Sequence, residues 1–129
     1  MARYGDAAVI ATNIVQAAKV ASPIEGWKLA VAEICPDSPS SQKKGCPKGA
    51  FLGLCEEGVV KGIPAGSYTT SVHNKKYALR ALSLLRSEPS FSGGAKVLWD
   101  RVMNGEVKEP NGQMDVVLAL WQKGLLRKI

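Results

Sequence analysis

Apolar residues recur at intervals of three and four along almost the whole chain, the spacing of one face of an α-helix. In the first such segment Ala7, Ile10, Ile14, Ala17 and Ala18 share a stripe, with Thr12, Gln16 and Lys19 opposite, which predicts a helix from about Asp6 to Val20. "SPIEGWKLAVAEICP" predicts a second. Ser22 can cap it, Pro23 suits its first position and Glu25 has capping-box spacing; Ile24, Trp27, Val31 and Ile34 then face inward and Pro36 ends it. The loop "DSPSSQKKG" leads to a third helix with Cys46 at its N-cap, Pro47 in its first turn, Phe51, Leu54 and Cys55 buried, and Gly58 as a left-handed stop. Gly49 and Gly53, one turn apart on this helix, imply close approach by another element, because each costs about 1 kcal/mol relative to alanine.

Residues 59–72 hold too many Gly and Pro residues for a helix, and Val59–Ile63 and Ser67–Val72 are expected to be extended and briefly paired. From Asn74 the pattern is clear again. Tyr77, Ala78, Ala81, Leu82 and Leu85 form an apolar stripe beside a polar one of Lys76, Arg80 and Ser83, and Glu88 and Pro89 close the helix. Ser92 is the expected cap of the next, with Ala95, Leu98, Trp99 and Val102 inward and Asn104 and Gly105 as the stop. The last helix, "QMDVVLALWQKG", is apolar on nearly every side, which suits the centre of a bundle or a subunit interface. The expected fold is mainly α, a single compact bundle of about six short helices over residues 1–129, with a minor extended segment around residues 59–72.

An internal echo crosses this plan. "FLGLCEEGVVKGI" from Phe51 and "VLALWQKGLLRKI" from Val117 align without gaps, matching at Leu52 and Leu118, Leu54 and Leu120, Gly58 and Gly124, and Ile63 and Ile129, with Lys61 opposite Arg127. Two readings are open. A glycine stop followed by an apolar residue that packs back on the last turn would produce it, and so would a duplicated helical unit.

Composition narrows the class. At 129 residues the chain fits one domain that can bury roughly 65–70% of its unfolded surface. Asp6, Thr12, Asn13 and Gln16 interrupt the N-terminal apolar stretch too often for a secretory signal, and no apolar run is long enough to cross a bilayer. A cytoplasmic protein with reduced thiols is the expectation, since three cysteines are an odd count outside a disulfide framework. The net charge of +6 is localised: between Ser38 and Ser87 eight Lys or Arg residues face only Glu56 and Glu57, and basic and acidic residues balance elsewhere. Such segregation favours an anionic partner, or is simply a solvated basic face.

Chemistry has one natural address, "KKGCPKGA". Lys43, Lys44, Gly45, Cys46 and Lys48 combine cations, a glycine and the free N–H groups of a helix start, which together attract anions, although the P-loop pattern itself is absent. Cys46 is also the best-placed nucleophile, but its only available histidine partner, His73, is distant in sequence. The separations of Cys35, Cys46, Cys55 and His73 do not suit zinc, so no metal and no cofactor is expected. The leading reading is a binding or interaction module for an anionic or small-molecule ligand, with enzymatic activity left open, forming a homodimer or other homo-oligomer through its C-terminal helix. Two alternatives stand beside it. The basic middle and the helix-Gly-Leu-Leu-basic ending fit a winged-helix-like nucleic-acid binder, and Cys46 with the basic loop would fit a small enzyme.

The stretches "SSQKKGCPKGAFLGLCEEGVVKGIP" and "QMDVVLALWQKGLL" resemble a family of short uncharacterised bacterial proteins, a domain of unknown function. The resemblance implies a stand-alone helical domain and no established activity, so it assigns no catalytic or binding residue.

Overall fold

The computed structural model describes residues 3–127, and among these the chain forms α-helices joined by loops, the longest of them residues 57–71. They are α1 (Arg3–Gln16), α2 (Pro23–Ile34), a single-turn α3 (Pro39–Gln42), α4 (Gly45–Glu56), α5 (Val72–Ser87), α6 (Ala95–Met103) and α7 (Gln113–Gln122), with a 3-10 turn at Pro89–Gly93. Local chemistry accounts for most boundaries. Ser22 caps α2 by accepting from the Ile24 N–H, with Pro23 at the first helical position. At the end of α6, Asn104 takes the left-handed conformation (φ 50°) and Gly105 follows with φ 94°.

Several expectations are corrected. α1 ends at Gln16, with Ala18 left-handed (φ 58°), and its buried side is Gly5, Ala7, Ala8, Ala11 and Thr12, leaving Ala17 and Ala18 exposed. The smallest residues are inside because α7 approaches closely: a Cβ at Gly5 would lie 2.6 Å from the Asp115 carbonyl oxygen and 2.8 Å from Ala119 Cβ. Thr12 is tolerated in the interior because its hydroxyl donates to Ala8 O at 2.8 Å within the helix. Ile24 is 41% exposed, not core. Ser92 lies inside the 3-10 turn, and Gly94 occupies the N-cap of α6. The loop before α4 contains α3, which Ser38 caps by accepting from the Ser41 N–H. Cys46 is not an N-cap: α4 begins at Gly45 behind Lys44, because proline fits any first-turn site and Pro47 lets the helix start earlier.

α7 is packed by α1, α4, α5 and α6, so of the two placements its composition allowed, the centre of the bundle is the one observed. Val116, Val117 and Leu120 are fully buried there, each contributing about 1.5–3 kcal/mol of burial. Across the core Trp27 stacks on Phe51 with ring centroids 5.3 Å apart. The α5 stripe is buried as expected, and so are Phe51, Leu54 and Cys55. No helix among the described residues is long and apolar enough to cross a membrane.

The echo is structural. Gly58 (φ 75°) and Gly124 (φ 70°) end α4 and α7 in the same way, with Gly58 and Val59 N–H groups donating to Cys55 and Leu54 carbonyls, and Gly124 and Leu125 to Trp121 and Leu120. Both are Schellman stops. The two segments then meet each other, not residues 67–72. Val60 and Leu126 form an antiparallel bridge in which Lys61 N–H donates to Leu125 O and Arg127 N–H to Val59 O, both at 2.8 Å. Each bond is the other with the two segments exchanged, the signature of a local twofold relation. Packing repeats the exchange: α1 lies on α2 and α7 as α5 lies on α6 and α4. Burial repeats it too, pairing Ala7, Ala8 and Ala11 with Tyr77, Ala78 and Ala81, and Trp27 and Val31 with Trp99 and Met103. A glycine stop alone explains none of these further matches, so the duplicated unit is the reading that fits. Ile129, the last match of the echo, lies outside the described residues.

Candidate ligand-binding cleft

α4 and α5 pack so closely that two glycines of α4 have no room for a side chain, and this contact shapes the cleft. A Cβ on Gly49 would lie 2.6 Å from Ser71 Oγ, and one on Gly53 would lie 2.5 Å from Lys75 Cβ and 2.7 Å from Lys75 Cα. Both helices can therefore bring their N-termini to the same place. The N-cap of α4, Lys44, and that of α5, Ser71, make no side-chain capping hydrogen bond, and neither first turn contains an acid. By contrast α1, α2 and α7 carry Asp6, Glu25 and Asp115 in theirs.

Between the two starts lies a hollow of about 380 Å³ lined by Gly45, Cys46, Lys48, Thr69, Ser71 and Asn74. Thr69 and Ser71 also line a neighbouring hollow of about 580 Å³ along α5, which adds Lys75, Lys76 and Arg80. The cleft thus follows the α4–α5 contact from one end toward the other.

Its walls are held by a polar network. Glu56, near the end of α4, accepts from the Tyr68 and Thr69 N–H groups at 2.8 and 3.1 Å through Oε1, and from Lys75 Nζ at 2.7 Å through Oε2. Lys75 also reaches Glu57 at 2.8 Å. The Lys75 hydrogen bond, then those of the two amides, hold the Glu56 carboxyl down at about 2, and the two carboxylates raise the Lys75 ammonium above its ordinary range. Residues 68–69 are thereby clamped in place without regular secondary structure. At the other end Asn74 Nδ2 donates to Ser71 Oγ at 2.8 Å, and the fully buried Gln113 of α7 donates from Nε2 to Asn74 Oδ1 at 3.1 Å. Upstream, Tyr4 Oη donates to Ser41 O and Gln42 Nε2 to Cys35 O, which pins α3 and with it the approach to Gly45.

Of the residues singled out from sequence, Gly45, Cys46 and Lys48 line the cleft. Lys43 and Lys44 are exposed and lie outside the lining of this hollow. His73 is in the first turn of α5, exposed, with its ring 6.5 Å from that of Tyr77; the hollow that Cys46 lines does not include it. Thr69, Ser71, Asn74 and Gln113 were not singled out. Their signal, small polar residues in "SYTTSVHN" just before a helix, reads equally as an ordinary loop. The three cysteines are free, and among the described residues no group of three His, Cys, Asp or Glu side chains could hold a metal. Burial pushes the Cys55 thiol far above the usual range, which makes it an inert core residue.

A family profile matches residues 1–127. The chain belongs to DUF6979, a family of unknown function. Comparison with curated proteins and with solved structures finds no match. Membership in DUF6979 agrees with the resemblance noted from sequence and covers the whole bundle, both halves of the repeat included.

Proposed function

We propose that this protein is a binding module for a small anionic ligand, such as one bearing a phosphate, sulfate or carboxylate group, held where α4 and α5 begin. One observation carries the proposal: two helix N-termini converge on one hollow, and neither has a capping side chain or an acidic first turn. Each helix start presents unpartnered N–H groups and about half a positive charge. Lys48 and Lys76 add full charges and take part in no ion pair among the described residues, while the Thr69 and Ser71 hydroxyls offer neutral donors. The one carboxylate of the cleft, Glu56, is already neutralised by Lys75.

Two helix ends at about 0.3–1 kcal/mol each and two lysines of similar worth amount to about 1–4 kcal/mol, so inorganic phosphate alone binds with a dissociation constant of about 1 mM at the tightest. An organic remainder would lie along α5 against Val72 and Leu79, which line the adjoining hollow. The experiment is calorimetric titration of phosphate into the protein and into Lys48→Gln/Lys76→Gln. Loss of binding in the variant is expected, and equal binding by both proteins would overturn the proposal. The three free thiols fit a reducing, cytoplasmic setting. Self-association through α7 would use the part of that helix that α1, α4, α5 and α6 leave open, where Ala119 and Trp121 are half-buried. A catalytic role for Cys46 would need a base in its own hollow, and His73 does not line it.

A further inference from the structure

Among the described residues the buried polar side chains are Thr12 and Gln113. Thr12 is answered inside its own helix, but Gln113, the first residue of α7, bonds to the loop before it and to α5. A buried carboxamide costs free energy unless its bonds are made, and an apolar residue would fill the same space. The fold itself does not call for it: exchange of the two halves places Pro47 and Tyr4 where Gln113 and Asn74 stand, and neither carries a carboxamide. Its neighbour is the anion cleft. Gly112 (φ 86°) seats Gln113 behind the start of α4, since a Cβ on Gly112 would lie 3.0 Å from the Tyr4 ring and 3.4 Å from Pro47 Cβ.

The bonds of Gln113 run in one direction. The Asn111 N–H can only donate, and it donates to Gln113 Oε1 at 2.6 Å. Gln113 Nε2 is left to donate to Asn74 Oδ1 at 3.1 Å, and Asn74 Nδ2 in turn to Ser71 Oγ at 2.8 Å. A backbone amide at the head of the chain thus fixes which way both carboxamides face. Ser71 ends it as an acceptor, and its own proton, which has no acceptor among the described residues, is left for the hollow that Ser71 lines. The same bond keeps Ser71 from capping α5, because the oxygen that would accept from the first-turn N–H groups is taken by Asn74. Thr69, the other hydroxyl in the lining, accepts from the Ser71 N–H at 3.1 Å and is likewise left to donate. Both Glu56 oxygens are occupied by the Tyr68 and Thr69 amides and Lys75. The polar groups that remain to a ligand are donors.

We infer that Gln113 is a positioning residue that holds the Ser71 hydroxyl as a donor, so that the cleft takes an ionised oxyanion, which brings acceptors alone, and refuses groups that bring their own proton. The inference rests on the anion reading of the cleft. Its test is a phosphate titration of the whole protein, followed through the amides of the two helix starts, for the wild type, Ser71→Ala, Gln113→Met and the double variant. Ser71→Ala is expected to weaken binding about three- to tenfold, the worth of one hydrogen bond to an anion. Once Gln113→Met has broken the chain, the same replacement should change binding by less than about twofold, whereas a merely structural Gln113 leaves the two effects additive. Asn74→Asp is the second background, and it decides if Gln113→Met does not fold. It still accepts from Gln113 but offers Ser71 only an oxygen, so the hydroxyl turns to it and Ser71→Ala again loses its effect. Phosphate binding that Ser71→Ala leaves unchanged, or weakens by one factor in every background, would overturn the inference while the anion site stands. Helix-start amides of the wild type that ignore phosphate would overturn the site and the inference together.

Discussion

Replacing Gly53 by alanine puts two effects of opposite sign against each other. In the interior of α4 an alanine gains about 1 kcal/mol of helix propensity over glycine. The new Cβ, however, would stand 2.5 Å from Lys75 Cβ and 2.7 Å from Lys75 Cα, and the second of these atoms is backbone, so no rotamer change relieves it. Ordinary carbon contacts lie at about 3.5–4.0 Å, so the helices must part by roughly 1 Å, an overpacking that costs about 1–3 kcal/mol. Parting them also draws Lys75 from Glu56 and Glu57, a partly exposed pair of contacts worth about 0.5–1 kcal/mol. The clash wins, and the net loss is about 1–2 kcal/mol, or a fall in Tm of roughly 4–8 °C for a domain of this size. Gly45→Ala is the matched control, because nothing lies within 4 Å of a Cβ there. Thermal unfolding followed by circular dichroism should show Gly53→Ala below the wild type and Gly45→Ala equal to it or above. A Tm for Gly53→Ala at or above that of wild type would refute the α4–α5 contact on which the cleft depends.

Gly124→Ala isolates the backbone cost of the Schellman stop, since φ is 70° and no atom crowds the new Cβ; a loss of about 1–2 kcal/mol is expected in denaturant unfolding, and an unchanged midpoint would contradict the left-handed stop. With iodoacetamide on the folded protein, Cys46 should label while Cys35 and Cys55, both buried, remain intact by mass spectrometry; two modified thiols would count against the packing of α2 and α4. The Glu56 carboxyl is lowered from 4.5 to about 2 in the folded state, so its contribution is present above pH 4.5 and lost as pH falls toward 2. Acid unfolding of Glu56→Gln should therefore be shallower than that of wild type across this window, and superimposable profiles would exclude the clamp.

Where the sequence was legible, one periodic face decided the outcome. α5 is the clearest case: its stripe from Tyr77 to Leu85 is the buried face, because the residues are large, apolar and spaced for a single neighbouring surface. α1 misled because it is clamped by α2 and α7 at close range, where small size outweighs hydrophobicity, so Gly5, Ala8 and Thr12 are inside and the larger Ile10 and Ile14 sit at the margin. The helix stop at Gly58 was readable as local chemistry, but its pairing with the matching stop at Gly124 was not, since a bridge between Val60 and Leu126 depends on tertiary placement. The site divides in the same way. Gly45, Cys46 and Lys48 announce a helix start in the sequence, whereas Thr69, Ser71 and Asn74 join them only because Gly49 and Gly53 admit α5.

The central claim, that an anion sits between the starts of α4 and α5, is tested most directly by following backbone amides during a phosphate titration. Shifts confined to Gly45, Cys46, Lys48 and the segment from Ser71 to Asn74, following a common dissociation constant of about 1 mM or weaker, are the predicted result. Amides at Gly45 and Ser71 that stay in place while phosphate is raised, or shifts scattered over all the exposed lysines, would contradict it.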